Sequence, residues 1–177
     1  MAVRERHEAA FHEFVAARSA SLFRTALLVL GDHQLAQDLL QESLVKTYVA
    51  WPRLRDVSKA EAYARRVIVT TSSSWRRRRS FHERPVEALP EVLVADVADL
   101  IAGHTDLWTH LHALPPRQRA AVVLRYCQDL SEVQTSELMG CSVGSVKRHA
   151  SRGFAKLQAR MVAQVTVHDS DDSAVTS

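Results

Sequence analysis

Residues Leu130 to Arg148 read as helix, tight turn, helix, and no other stretch restricts the fold as much. Ser131 can cap the first helix, with Glu132 and Gln134 close behind it in the first turn. Val133 and Leu138 give that short helix an apolar side. Gly140 supplies a residue that accepts the left-handed conformation ending a helix. Ser142 is the natural N-cap of the second helix. There Val143, Val146, Ala150, Phe154 and Leu157 recur at spacings of three and four, which predicts one buried stripe. Ser145, Lys147, Arg148, Ser151 and Arg152 fall off that stripe. They are small polar or long basic residues, the types that enter a DNA major groove. Gly144 sits early in the second helix, where glycine costs about 1 kcal/mol relative to alanine. That cost makes sense if a backbone or a DNA phosphate comes close. The plainer reading of the same residues is a solvated basic face in an ordinary helical domain.

The rest of the chain also reads as helix. With 177 residues it can hold one large domain or two small ones. Glycine and proline number 5 each, and Ala, Leu, Val, Arg and Glu abound, which predicts an all-α fold. No run approaches the roughly 18 apolar residues of a membrane span, and the N-terminus has no secretory apolar region. The expected location is cytoplasmic, with no membrane insertion. Cys127 and Cys141 fall near apolar helix positions and read as small core residues rather than a disulfide. The nine histidines are scattered without metal-ligand spacing, so neither a metal nor any other cofactor is expected.

Charge divides the sequence. Residues 59–84 carry 8 basic and 2 acidic side chains, residues 85–108 carry 5 acidic and no basic ones, and residues 109–160 carry 8 basic and 3 acidic. Two basic blocks around an acidic one predict two nucleic-acid surfaces joined by a segment with another task.

In chain order, Met1 to Arg6 reads as frayed, and a helix follows from about His7 to Leu30. Gly31 ends it and Asp32 caps a second helix that runs to about Ala50. Asp38, Gln41, Glu42 and Lys46 form its polar side, and Pro52 stops it. A third helix starts near Ser58, with Glu61 at the capping-box position. It contains five consecutive hydroxyl residues, Thr70 to Ser74, then Trp75, then Arg76, Arg77, Arg78 and Arg79. Ser and Thr are weak helix formers. A single-strand surface would use the run: hydroxyls and arginines reach the backbone while an aromatic stacks on a base. After the acidic segment Asp106 can cap a helix Leu107–Leu114. Pro115–Pro116 opens the next, Arg117 to about Gln128, with Ala121, Leu124 and Cys127 on its apolar side. The last helix should run to about Val162 or a few residues beyond. The expected organisation is residues 7–80, a linker 81–105, residues 106–162, and a disordered acidic tail 163–177.

Three segments resemble one family. Ala36-Gln37-Asp38-Leu39-Leu40-Gln41-Glu42 looks like region 2.2 of sigma-70-type RNA polymerase sigma factors. Ala64 to Thr71, with Trp75-Arg76-Arg77-Arg78, looks like regions 2.3 and 2.4. Leu114-Pro115-Pro116-Arg117-Gln118-Arg119, followed by Gly140 to Lys147, looks like region 4. The order is similar to that of the extracytoplasmic-function (ECF) group, and most similar to its actinobacterial SigE subgroup. The resemblance covers roughly Phe11 to Leu157. It implies promoter DNA and RNA polymerase core as partners and no covalent chemistry. Asp38, Gln41, Glu42 and Lys46 would meet the clamp coiled coil, while region 4 would also meet the flap. Arg65, Arg66, Thr70, Thr71, Ser74, Trp75 and Arg76–Arg79 would capture the opened −10 strand. Ser142, Ser145, Lys147, Arg148, His149, Ser151 and Arg152 would read the −35 duplex. An anti-sigma factor would be a further partner of the same kind, though no residue here encodes one.

The sequence also departs from the subgroup. Thr70 stands where asparagine is usual and Arg76 where a second tryptophan is common; Arg148 and His149 replace a common serine and arginine. Threonine cannot present asparagine's paired donor and acceptor, so the −10 preference is expected to shift. Three rival readings predict different behaviour. A dimeric helix-turn-helix regulator would bind a palindrome without polymerase. A small enzyme would need a nucleophile elbow or phosphate loop, and neither motif occurs. A pure adaptor would tolerate loss of the arginine cluster.

Overall fold

The structure, a computed structural model, describes residues 2–54, 56–79 and 105–172. Among them there is helix and turn but no strand. The helices are α1 (Ala2–Leu30), α2 (His33–Ala50), α3 (Val57–Arg79), α4 (Thr105–His112), α5 (Pro116–Val122), α6 (Glu132–Met139) and α7 (Val143–Asp172). The fold is all-α in two domains, α1–α3 and α4–α7. The acidic segment between them lies outside the described residues, so its expected linker role has no structural counterpart here.

Helix ends follow local chemistry. Gly31, at φ 80°, closes α1 with its N–H on the Leu27 carbonyl at 2.8 Å. Asp32 caps α2 by accepting from Leu35 N–H. The third helix departs from the expected start: Asp56 Oδ1 accepts from Lys59 N–H at 2.8 Å, and Ser58 Oγ donates to the same carboxylate oxygen. Asp56 is therefore the cap, because a carboxylate two residues earlier outcompetes a hydroxyl for the free amides. Those bonds hold its pKa below the ordinary carboxylate value. Likewise α4 begins at Thr105, which leaves Asp106 inside the first turn. Helix α1 begins at Ala2, before the expected His7. Helix α7 runs on to Asp172, past the expected end near Val162, since no glycine or proline follows Gly153 to stop it.

The first core belongs to α1, α2 and α3. Phe14, Leu22, Phe23, Ala26, Leu27 and Leu30 pack on Ala36 and Leu39 of α2 and on Ala60, Ala64 and Ile68 of α3. Small residues let α2 and α3 approach closely, and the fully buried Ser43 donates from Oγ to the Ala64 carbonyl at 2.9 Å. Two smaller clusters join the domains. Leu28 and Val29 of α1 meet Leu111, Leu114, Val122, Val123 and Leu157. Val69 of α3 meets Ala120, Leu124 and Leu138.

At this junction the largest fully buried side chain is a charged one. Arg119 donates to the Val29 carbonyl at 3.0 Å, the Leu114 carbonyl at 3.0 Å and the His112 carbonyl at 2.5 Å. It also lies 2.7 Å from His112 Nδ1. A guanidinium only donates, so Nδ1 accepts and the imidazole is held as its neutral Nε2–H tautomer. Gly31 completes the contact, because a Cβ there would stand 2.4 Å from His112 Nδ1.

Candidate nucleic-acid interface

Helices α6 and α7 form the helix-turn-helix. Ser131 caps α6 in a full capping box: its Oγ accepts from Gln134 N–H at 3.1 Å, and its own N–H donates to Gln134 Oε1 at 2.8 Å. Gly140 ends α6 at φ 60° in the left-handed region. Ser142 then caps α7, its Oγ accepting from Ser145 N–H at 3.2 Å. These features match the expectation. Two apolar assignments do not. Val133 is exposed, and Thr135 and Leu138 are the buried residues of α6. Phe154 is 50% exposed, and Gly153 takes its place in the buried stripe with Val146, Ala150 and Leu157. A Cβ on Gly153 would stand 2.8 Å from Val122 Cγ2, so α5 and α7 touch there too closely for any side chain.

A change of helical register explains another misplacement. Residues Val123–Cys127 form a π turn, with Gln128 N–H reaching back to the Val123 carbonyl at 3.0 Å. The extra residue in that turn rotates Cys127 out of the apolar side. Cys127 is exposed and Cys141 half-buried, and both are free thiols. Neither is the core residue its spacing suggested.

Around the buried stripe, Lys147, Arg148, Ser151 and Arg152 are exposed, while Ser145 and His149 are half-buried. Lys147 Nζ pairs with Glu132 Oε2 across the turn at 3.4 Å. An exposed pair of this kind is worth about 0–1 kcal/mol and gives way readily to a phosphate. Gly144 is exposed, and the nearest atom to a Cβ built there is Ser142 Oγ at 4.0 Å. Among the described residues no contact requires glycine at that position. Burial, followed by Arg117, Arg148 and Arg152, holds His149 below the ordinary histidine pKa. Arg117, on α5, is a neighbour that spacing along α7 could not reveal. Its signal in the sequence was Gly153, a stripe position with no side chain that marks close helix contact.

The expected strand-capture surface on α3 is only partly open. Arg65 is tied to Glu61 at 2.7 Å and reaches Ser21 Oγ at 3.4 Å, and Glu61 also holds Arg18 at 3.3 Å. Arg66 and Thr70 are exposed, but Thr71 and Ser72 are buried. Three hydroxyls of the run bond back to their own helix. Thr70 Oγ1 donates to the Arg66 carbonyl at 2.8 Å, Ser72 to that of Val69 and Ser74 to that of Thr71. Such back-bonding explains how weak helix formers persist there. Trp75 is half-buried, one part of it packed against the α1–α3 core and the rest exposed. Arg76, Arg77, Arg78 and Arg79 continue α3 as backbone; their side chains lie outside the described residues. On α2, Asp38, Gln41 and Lys46 are exposed, and Lys46 Nζ pairs with Glu42 Oε1 at 2.6 Å.

Comparison with known proteins settles what this geometry belongs to. The family models for Sigma-70 region 2 and Sigma-70 region 4 match residues 14–82 and 104–157. The RNA polymerase sigma-E factor of Streptomyces coelicolor is 38% identical over 154 residues, 87% of each chain. This chain belongs to the sigma-70 family. It is an ECF sigma factor of the SigE subgroup. The sigma-E factor of Streptomyces avermitilis is 39% identical over 148 residues, 84% of this chain and 83% of that one. The fold of this sigma factor is that of the sigma factor RpoE of Bartonella quintana, solved with the anti-sigma factor NepR. The TM-score is 0.67 at 20% identity, over 86% of this chain and 96% of that one. Region 2 thus corresponds to α1–α3, and region 4 to α4–α6 with the first half of α7. A sigma factor of this kind directs RNA polymerase to promoters, with region 4 on DNA. Among the described residues no helix is long and apolar enough to cross a membrane.

Proposed function

We propose that this sigma factor reads the −35 duplex with α7 from Ser142 to Arg152. The observation that carries the reading is Gly144. It carries the helix cost of a glycine at an exposed position where no atom of the described residues crowds it, beside Ser145, Lys147 and Arg148. Close approach of a DNA backbone accounts for it. The −10 strand is captured by Arg66, Thr70 and the Arg76–Arg79 end of α3. Trp75 supports that end from the core side, and Thr71 and Ser72 act through helix integrity rather than contact. Asp38, Gln41, Glu42 and Lys46 bind core polymerase. No step is covalent; recruitment and melting are the whole mechanism. An anti-sigma factor is a natural regulator, given that the Bartonella relative was solved with one.

The deciding experiment is run-off transcription with bacterial core polymerase on a fragment carrying the gene's own upstream region. Initiation at one start site that requires this protein is the expected result. Permanganate-reactive thymines near −10 in the same reaction would show strand capture. Tight binding of the duplex by the protein alone, with no transcript, would instead mark a dimeric regulator. A second prediction isolates Gly144. Gly144→Ala is expected to stabilise the free protein by about 0.5–1 kcal/mol through helix propensity, yet to weaken promoter binding by the polymerase complex. Unchanged promoter affinity would remove the close DNA approach.

A further inference from the structure

Four cationic or titratable side chains gather on one flank of the recognition helix, and one of them comes from another element. Arg148, His149 and Arg152 belong to α7, whereas Arg117 belongs to the first turn of α5. Gly153 is what brings the two helices together. A Cβ at that position would stand 3.2 Å from the Gln118 carbonyl oxygen and 3.3 Å from Gln118 Cβ. That contact sets Arg117, the neighbour of Gln118, beside the flank that carries His149. The three guanidiniums are exposed and His149 is half-buried.

No described carboxylate sits against the cluster. Among the described residues Arg117, Arg148 and Arg152 make no ion pair, and no carboxylate is among the groups acting on His149. Several cations on other faces are matched: Lys147 has Glu132, Lys46 has Glu42, and Arg18 and Arg65 share Glu61. Like charges brought together without a counterion repel, and an arriving anion relieves that repulsion.

We infer that Arg117, Arg148, His149 and Arg152 form a clamp for backbone phosphates of the duplex that α7 enters, and that Arg117 is a DNA-binding residue. This inference rests on the −35 reading of α7. Phosphate fits better than a base edge, because Arg117 stands on a flanking helix outside the groove-entering turn Ser142–Ser145. Flanking elements of a helix-turn-helix contact the backbone and set the register. DNA fits better than an acidic protein surface, because three of the four groups lie on the helix that carries the base-reading side chains.

The clamp couples binding to a proton. In the free protein the His149 pKa is lowered from the ordinary histidine value, first by burial and then by Arg117, Arg148 and Arg152. A phosphate beside it favours the imidazolium and raises its pKa. Complex formation then takes up a proton, so affinity increases as pH falls through the window between the two values. The limit is about tenfold per pH unit for one proton.

The test uses holoenzyme assembled from bacterial core polymerase and the full chain, with promoter duplex titrated over salt and over about pH 5.5 to 8. Arg117→Ala is expected to weaken binding about three- to tenfold on every −35 sequence alike, and to lower the salt slope by about one. His149→Gln is expected to flatten the pH dependence. An Arg117→Ala complex with wild-type affinity and salt slope overturns the clamp. So does a loss that depends on −35 sequence, which would mark a base contact, or one confined to core assembly, which would mark a protein partner. If wild-type holoenzyme itself ignores −35 sequence, the underlying reading of α7 fails and the clamp with it.

Discussion

Arg119→Ala is expected to lower stability by about 3–5 kcal/mol, the largest effect of any single truncation in the described residues. Two losses add. The carbonyls of Val29, His112 and Leu114 each lose a charged donor in a site that excludes water. The volume of a fully buried arginine becomes a cavity. For a chain of this length about 2–4 °C in Tm accompanies each kcal/mol, so a fall of roughly 10 °C is expected in thermal unfolding followed by circular dichroism. Arg119→Lys should recover only part of it, since one ammonium cannot span three carbonyls that a planar fork reaches. A Tm within about 2 °C of wild type for Arg119→Ala would mean that these bonds do not form in solution.

Val69→Asp is expected to detach region 4 from region 2 without unfolding either. Val69 is 4% exposed, and its cluster partners Ala120, Leu124 and Leu138 all belong to region 4. An unpaired carboxylate buried there costs several kcal/mol. Separation of the domains returns it to water, so the contact opens rather than the helices melting. The penalty cannot exceed the free energy of the interface it breaks. Small-angle scattering should show a larger radius of gyration at unchanged helical ellipticity. Leu138→Asp, from the other side of the same contact, should do the same. An unchanged radius with reduced stability would mean that the contact holds against a buried charge.

What could be read from the chain was mostly local. Ser131, Gly140 and Asp32 announce helix ends because capping depends on one turn of backbone and one side chain. The stripe Val146, Ala150, Leu157 announces a buried face because helical spacing alone aligns those residues. Other positions resisted for stated reasons. Phe154 and Val133 fit an apolar spacing, but the described neighbours leave at least half of each exposed, Tyr126 covering only one side of Phe154. Cys127 fits as well, until a π turn shifts its phase. Ser58 looked like a cap because Asp56, two residues earlier, competes for the same amides only once the backbone is in place. The Thr70–Ser74 run looked like a strand-binding surface, but Thr70, Ser72 and Ser74 also donate their hydroxyls to carbonyls of their own helix, which spacing does not announce.

The candidate site divides in the same way. Lys147, Arg148, Ser151 and Arg152 were legible as an exposed basic edge, since they are off the stripe by spacing. Arg117 was not, because its role depends on how closely α5 lies against α7, which Gly153 decides. Trp75 was visible as an aromatic among arginines, but its placement against the region 2 core depends on where α1 and α2 lie.

Sequence alone determined the all-α class, the helix-turn-helix and the family, because periodicity, capping and motif order are properties of neighbours along the chain. Only the tertiary structure decided that a fully buried arginine ties α1 to region 4, and that region 4 covers Val69 on α3. It likewise decided that Arg117 and His149 share one flank. Each of those depends on the distance between helices far apart in sequence, which close packing sets and no local pattern encodes.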